Sequence, residues 1–291
     1  MIDLHSHSTA SDGVFSPSEL VNYANKEGIT VLALTDHDTI DGLAEAQKTA
    51  LKTGITFVPG IEIQIQWPTG EFHLLGLSLK SISPTLVKII NLLQKGRKDR
   101  NLEIINRMNQ AGMDITLEEV SKKYNVSTIG RPHIAAWMVD HGVVKKRQLA
   151  FDKYLAKGRP FYVERVGASL DEAIVAIKES GGIPVIAHPL SLYVSWGKIE
   201  PILKDIHDRG VEGLEAWHPG ARVVECERLE KMAHKLGFFV TGGSDFHGQS
   251  VRTDRFLGKT AGNRTIDDRF WLEELQPALQ KKETTLNCKE L

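Results

Sequence analysis

Seven short apolar segments, each with a histidine or carboxylate on it or just beyond it, constrain what this 291-residue chain can fold into. They fall near residues 2–5, 29–35, 55–63, 72–79, 183–187, 211–217 and 238–242, and amphipathic helical patterns separate most of them. Strand and helix signals that alternate in this way predict an α/β fold with a largely parallel sheet. Ser16-Pro17-Ser18-Glu19 and Ser169-Leu170-Asp171-Glu172 have capping-box spacing, and Gly28, Gly54 and Gly237 are placed to end helices ahead of strands. The alternation breaks between 84 and 165, where only helical signals occur. The expected organisation is therefore one α/β unit made from 1–83 and 166–291, carrying a helical insertion at 84–165.

Charge separates the same two regions. The chain carries a net charge of −1, but residues 95–165 hold 15 Lys+Arg against 8 Asp+Glu, a surplus of 7 that leaves −8 for the rest. A molecule this close to neutral has no overall field to draw it to nucleic acid or an anionic membrane, so the basic insertion and the acidic remainder are expected to do different jobs. With 41% hydrophobic and 25% charged residues the composition is that of a globular protein. Apolar runs such as Val31 to Leu34 and Leu74 to Leu79 are far shorter than the roughly 20 residues of a membrane helix. Met1-Ile2-Asp3-Leu4 lacks the pattern of a secretory leader, and the two cysteines, Cys226 and Cys288, suit reduced thiols, so a cytoplasmic location is expected.

The histidines are placed selectively. His5 and His7 end the first segment, with Asp12 on the loop beyond, and His37 ends the second within Thr35-Asp36-His37-Asp38. Glu62 lies in the third segment, His73 in the fourth, His188 follows the fifth, His218 the sixth, and Asp245 with His247 the seventh. Strand ends of one sense share one mouth of an α/β sheet, so these groups are expected to converge there. Taken singly, each has a structural alternative: a buried hydrogen-bonded imidazole, or a helix cap at Asp38. Together they are nitrogen and oxygen donors without a thiolate, the chemistry of Mn, Fe or Zn sites, and a metal would neutralise the carboxylate of Glu62 in its apolar strand. His141, His207 and His234 fall on helices and are read as structural.

On these residues the chain resembles the PHP (polymerase and histidinol phosphatase) family of metal-dependent phosphoesterases. The motifs are Asp3-Leu4-His5-Ser6-His7, Asp12, Thr35-Asp36-His37-Asp38, Glu62, His73, Ala187-His188-Pro189 and Gly243-Ser244-Asp245-Phe246-His247, and they cover the chain outside the insertion. The resemblance implies a distorted (β/α)7 barrel with a helical cap. It implies three divalent metal ions: one held by His5, His7, Glu62 and Asp245, a second by Asp12, His37 and His247, and a third by Glu62, His73 and His188. Mn is the expected metal, with Fe or Zn as alternatives. Asp3, Asp36 and Asp38 are expected to orient ligand imidazoles through their second nitrogens.

Gly130-Arg131-Pro132-His133-Ile134-Ala135, the helical insertion and Trp217-His218-Pro219 resemble the nucleoside 3′,5′-bisphosphate phosphatases, a group also similar to 5′–3′ exoribonucleases. The implied substrate is a small phosphorylated nucleotide or a short 5′-phosphorylated RNA, and no protein partner or membrane is expected. Arg131 and His133 are the expected phosphate-binding residues of the insertion, with Arg97, Arg100, Lys157 and Arg159 behind them. His218 is expected to bind substrate phosphate or to protonate the leaving group. Tyr193, Trp217 and Phe246 are candidate base-stacking aromatics. Histidinol phosphate is the alternative substrate. The competing classes are the amidohydrolases, whose bridging lysine has no counterpart here, and a non-catalytic nucleotide-binding module.

Overall fold

The seven apolar segments form a seven-stranded sheet in sequence order: β1 (Ile2–Asp3), β2 (Val31–Leu34), β3 (Thr56–Ile65), β4 (Phe72–Leu77), β5 (Ile183–Ile186), β6 (Gly213–Trp217) and β7 (Phe239–Gly242). Beyond β1 and β7 the chain closes the sheet on itself. The Leu4 N–H donates to the Gly242 carbonyl at 3.4 Å, the Asp245 N–H to the His5 carbonyl at 3.0 Å, and the His7 N–H to the Phe246 carbonyl at 2.9 Å. A computed structural model thus gives a barrel, and it describes residues 1–287 apart from 125, 127 and 128.

β4 departs from the parallel expectation. It pairs antiparallel with both β3 and β5, while the other neighbouring pairs are parallel. The cause is the connection: six residues, 66–71, separate β3 from β4, and a parallel crossover needs a dozen or more. β4 therefore returns as a hairpin partner and begins at the mouth where the other strands end. His73, its second residue, arrives at that mouth for this reason.

Helices cover the outside of the barrel. Pro17–Lys26 starts with the expected capping box, in which Ser16 Oγ accepts from the Glu19 N–H and Glu19 Oε2 from the Ser16 N–H. Its Leu20, Val21 and Ala24 pack with Leu32 and Leu34 of β2. Ser169, by contrast, precedes the helix Leu170–Glu179 but makes no side-chain capping bond.

The chain divides into two compact units, Met1–Ile90 with Ala168–Leu291, and Asn91–Gly167, the first boundary falling inside the helix Pro84–Gln110. The smaller unit has its own apolar core, built on Ile104, Met108, Ile115, Val120, Ile134, Trp137 and Met138. Among the described residues no helix is long and apolar enough to cross a membrane.

Candidate active site

Glu62, on β3, is fully buried and stands at the centre of the barrel mouth. Its Oε2 lies 3.3 Å from His5 Nε2, 3.3 Å from His7 Nε2 and 3.0 Å from His37 Nδ1, and its Oε1 lies 2.8 Å from His73 Nδ1 and 3.0 Å from His188 Nε2. Asp245 Oδ1 is 3.3 Å from His7 Nε2 and 3.7 Å from His5 Nε2, and Asp12 Oδ1 is 3.3 Å from His247 Nε2. All nine residues of the expected ligand set thus meet in one place. Ligand-capable atoms lie within 4.8 Å of one another in three groups: His5, His7, Glu62 and Asp245; His7, Asp12, His37 and His247; and His37, Glu62 and His73. His7 joins two of these groups. His188, expected in the third, lies 3.3 Å from His73.

The donors face one another in a way that calls for a cation. His5 Nδ1 is 3.0 Å from Glu215 Oε1, and a carboxylate there can only accept. A neutral His5 then turns the lone pair of Nε2 towards Glu62, Asp245 and, at 3.1 Å, His7 Nε2. Glu62 Oε2 and His7 Nδ1 are buried without a hydrogen-bond partner, which is costly for either group. Burial, reinforced by the neighbouring His247 and His37, lowers the His7 pKa to about 3, so the ring stays neutral with one nitrogen lone pair available. Burial alone would lower His5 as well, but Glu215 and Glu62 raise it well above the usual value. Burial works against the charged forms of Glu62 and Asp245, yet the surrounding imidazoles hold both well below the ordinary carboxylate range. These donors fit divalent cations, and protons compete for the same nitrogens.

Two of the aspartates expected to orient the imidazoles, Asp3 and Asp36, bind backbone N–H and serine hydroxyl groups instead. Asp3 accepts from the N–H groups of His5, Ser244 and Gly258 and from Ser244 Oγ. Asp36 accepts from the Ser8 N–H and from Ser8 and Ser11 Oγ, and Asp38 from the Gln64 N–H. Asp3 and Asp36 thus hold the histidine-bearing loops. Ring orientation falls to Glu215 for His5, Ser191 Oγ (2.9 Å) for His188, Gln64 Oε1 (2.9 Å) for His73 and the Asp245 carbonyl (2.9 Å) for His247. Glu215 Oε2 also accepts the His188 N–H at 2.8 Å. His188 (φ 27°) and Asp245 (φ 52°) sit in the left-handed region, a strain that folded structures keep mainly at functional sites. Gly243 is required there, since a Cβ would collide with His5 and with Glu215 Oε1.

A cleft of about 400 Å³ opens over this cluster, lined in part by His188, Tyr193, Glu215, His218, Arg252 and Arg255. His218 is buried, its Nδ1 accepts the Gly220 N–H at 3.0 Å, and its Nε2 lies 3.4 Å from Asp245 Oδ2. The neutral ring therefore carries its proton on Nε2, and burial lowers its pKa. Of the candidate aromatics, Tyr193 is exposed and lines the cleft. Phe246 packs in the core beside Phe15 and Tyr23, and Trp217 is buried with Nε1 donating to Glu230. In the smaller unit, Arg131 opens the helix Arg131–Asp140, and His133 Nδ1 accepts the Gly130 N–H at 2.9 Å and caps that helix. Arg100 is buried and donates to Asn101. His141 stacks on Trp137, His207 packs edge-on to Phe238 and His234 meets Glu274.

The PHP domain family matches residues 3–166. The chain belongs to the PHP domain family. It is 34% identical to a 3′,5′-nucleoside bisphosphate phosphatase of Chromobacterium violaceum over 94% of this chain and 95% of the relative. It is also 34% identical to a 5′-3′ exoribonuclease of Haemophilus influenzae over 84% of this chain and 89% of the relative. Two solved structures share the fold. One, described as an amidohydrolase from Chromobacterium violaceum with bound sulfate and no metal, superposes with a TM-score of 0.82 at 32% identity, covering 94% of this chain and 95% of its own. The other, described as a metal-dependent phosphoesterase from Bifidobacterium adolescentis, gives 0.81 at 30% identity with the same coverage. This PHP chain is thus a phosphoesterase on a distorted (β/α)7 barrel.

Glu215, Arg252 and Arg255 were not among the residues singled out from sequence. Glu215 carries the same signal as Glu62, a carboxylate inside an apolar strand, in Gly213-Leu214-Glu215-Ala216-Trp217. The two arginines lie in a loop without periodicity and carry no such signal.

Proposed function

We propose that this PHP protein removes the 3′-phosphate of nucleoside 3′,5′-bisphosphates and takes nucleotides from the 5′ end of short RNA. The observation that carries the reading is the facing of lone pairs around Glu62, with Glu62 Oε2 and His7 Nδ1 left unpartnered in a buried cluster. The two similar curated proteins, a bisphosphate phosphatase and an exoribonuclease, support the substrate class.

Three ions, Mn by preference, would be held by His5, His7, Glu62 and Asp245; by Asp12, His37 and His247; and by Glu62, His73 and His188. Such ions make water acidic enough to attack a phosphoryl group and neutralise charge on its oxygens. The chain's own residues do the remaining work. Glu215 fixes His5 so that Nε2 faces the centre, and Ser191 and Gln64 do the same for His188 and His73. His218 donates its Nε2–H to a phosphoryl oxygen. With Nδ1 occupied by the Gly220 N–H, it is assigned to phosphate binding and not to protonating the leaving group. Arg131 and His133, on the basic insertion, bind substrate phosphate, and the cytoplasm is the expected compartment.

Phosphate release by the Mn-loaded protein tests this directly. Adenosine 3′,5′-bisphosphate should be dephosphorylated, and a 5′-phosphorylated RNA oligomer should yield mononucleotides. Turnover of histidinol phosphate alone would overturn the nucleotide assignment.

A further inference from the structure

Arg255 is buried beside the ligand cluster with two of its three nitrogens lacking an acceptor. Its side chain is 6% exposed, Nε and Nη1 have no acceptor, and the nearest carboxylate, Asp254, lies 4.0 Å from Nε. A guanidinium stripped of water is costly unless an acceptor replaces the water. Gly220 keeps the space beside it open: a Cβ there would stand 3.3 Å from Arg255 Nη2 and 2.9 Å from the His218 ring. Arg252 Nη1 lies 3.9 Å from Asp245 Oδ2, and His218 Nε2 lies 3.4 Å from the same oxygen. Both separations are long for hydrogen bonds, so the donors gather around the outer oxygen of Asp245 without closing on it. The inner oxygen, Oδ1, faces His5, His7 and His247. The unfilled donors therefore begin one carboxylate away from the ligand cluster and line the same cleft. An acceptor with several oxygens and more than one negative charge fits them, and a guanidinium fork can hold two of those oxygens at once.

We propose that Arg255 and Arg252 are catalytic residues that clamp the phosphoryl group under attack and tighten on its non-bridging oxygens as negative charge builds there. The inference rests on the phosphoesterase reading but not on which nucleotide is the substrate. The competing role is recognition of a second, unreacting phosphate on the same substrate.

The test compares Arg255→Ala, Arg255→Lys and the more exposed Arg252→Ala with the unaltered Mn-loaded protein. Three quantities are read: metal content, calorimetric binding of inorganic phosphate, and kcat with KM for p-nitrophenyl phosphate and for adenosine 3′,5′-bisphosphate. The clamp predicts unchanged metal content, weakened phosphate binding, and a fall in kcat on the order of 10²–10³-fold for Arg255→Ala, equal for both esters. Arg255→Lys should recover only part of the loss, because an ammonium cannot bind two oxygens as a fork. A loss confined to the bisphosphate, with phosphate binding intact, would assign the arginines to a second phosphate and overturn the clamp. Loss of metal, or no change in either folded alanine variant, would overturn it equally. If the unaltered protein binds phosphate through Arg255 yet hydrolyses neither ester, the phosphoesterase reading falls and the catalytic role falls with it, whereas hydrolysis that is unaffected by the arginine variants overturns the clamp alone.

Discussion

The barrel unit gathers His5, His7, Glu62, Glu215 and Asp245, all buried, at one end of its sheet, whereas the insertion unit fills its interior with Ile104, Met108, Ile115, Val120, Trp137 and Met138. In the insertion, buried Arg100 donates to Asn101, and His133 accepts the Gly130 N–H through Nδ1. In the barrel the buried polar groups serve one another, and their arrangement leaves Glu62 Oε2 and His7 Nδ1 without partners. An apolar interior is complete once packed, while an interior of facing donors is complete only with a cation or proton in it. The contrast places the facing donors in the barrel unit, in keeping with the proposal that the insertion contributes affinity.

The sharpest way to break that contrast is Glu62→Gln. Replacing the carboxylate that faces five imidazoles should remove bound metal and lower activity by on the order of 10⁴-fold. Full metal content in this variant, measured by elemental analysis, would mean that the cluster does not depend on Glu62. Glu215→Gln is expected to be milder, costing about 10–100-fold in metal affinity, because the amide can present its N–H to His5 and favour the wrong tautomer. Chelator titration reads this loss, and an unchanged affinity would leave Glu215 a purely structural role. Arg131→Ala, on the insertion side, should raise KM about tenfold with metal content and kcat nearly intact. Metal loss in that variant would erase the division between the units.

The smallest effect concerns a pair at the barrel's edge. Glu230 accepts from Arg269 Nη1 at 2.7 Å and Nη2 at 3.0 Å, and from Trp217 Nε1. Burial pushes its pKa up, but these bonds outweigh burial and hold it below the ordinary 4.5. The folded protein therefore releases this proton at lower pH than the unfolded chain, so the stabilisation is present above pH 4.5 and is lost as pH falls through the depressed value. Glu230→Gln should cost about 1 kcal/mol at pH 7. The Tm difference from the unaltered protein should shrink in acid, and a difference that does not vary with pH would refute the ion-pair account.

Much of this site can be read from sequence because its donors sit at predictable places. A histidine at a strand end can reach only a limited region, so His5, His7, His37, His188 and His247 announce a common mouth before any coordinates exist. The direction of β4 was also encoded, in the six residues between β3 and β4, but a rule of alternation overlooks it where connection length decides. Asp3 and Asp36 show a different limit. Closeness in sequence to a ligand suggested contact with its ring, whereas hydrogen-bond geometry gave these carboxylates to backbone N–H and serine hydroxyl groups. Glu215 and Arg255 acquire their meaning only from partners far along the chain, and no local pattern carries that information.

The closure of the barrel has a consequence for synthesis. Asp3 accepts hydrogen bonds from Ser244, 241 residues away, His5 and His7 meet Asp245, and His7 stacks on His247 across the same seam. Contacts of such separation are slow to form and form late. A nascent chain therefore exposes its first pair of histidines long before their partners leave the ribosome, and the complete ligand set exists only once residue 247 has emerged. On the proposed ligand set, a chain stopped short of β7 would lack Asp245 and His247 and should hold a metal ion weakly or not at all.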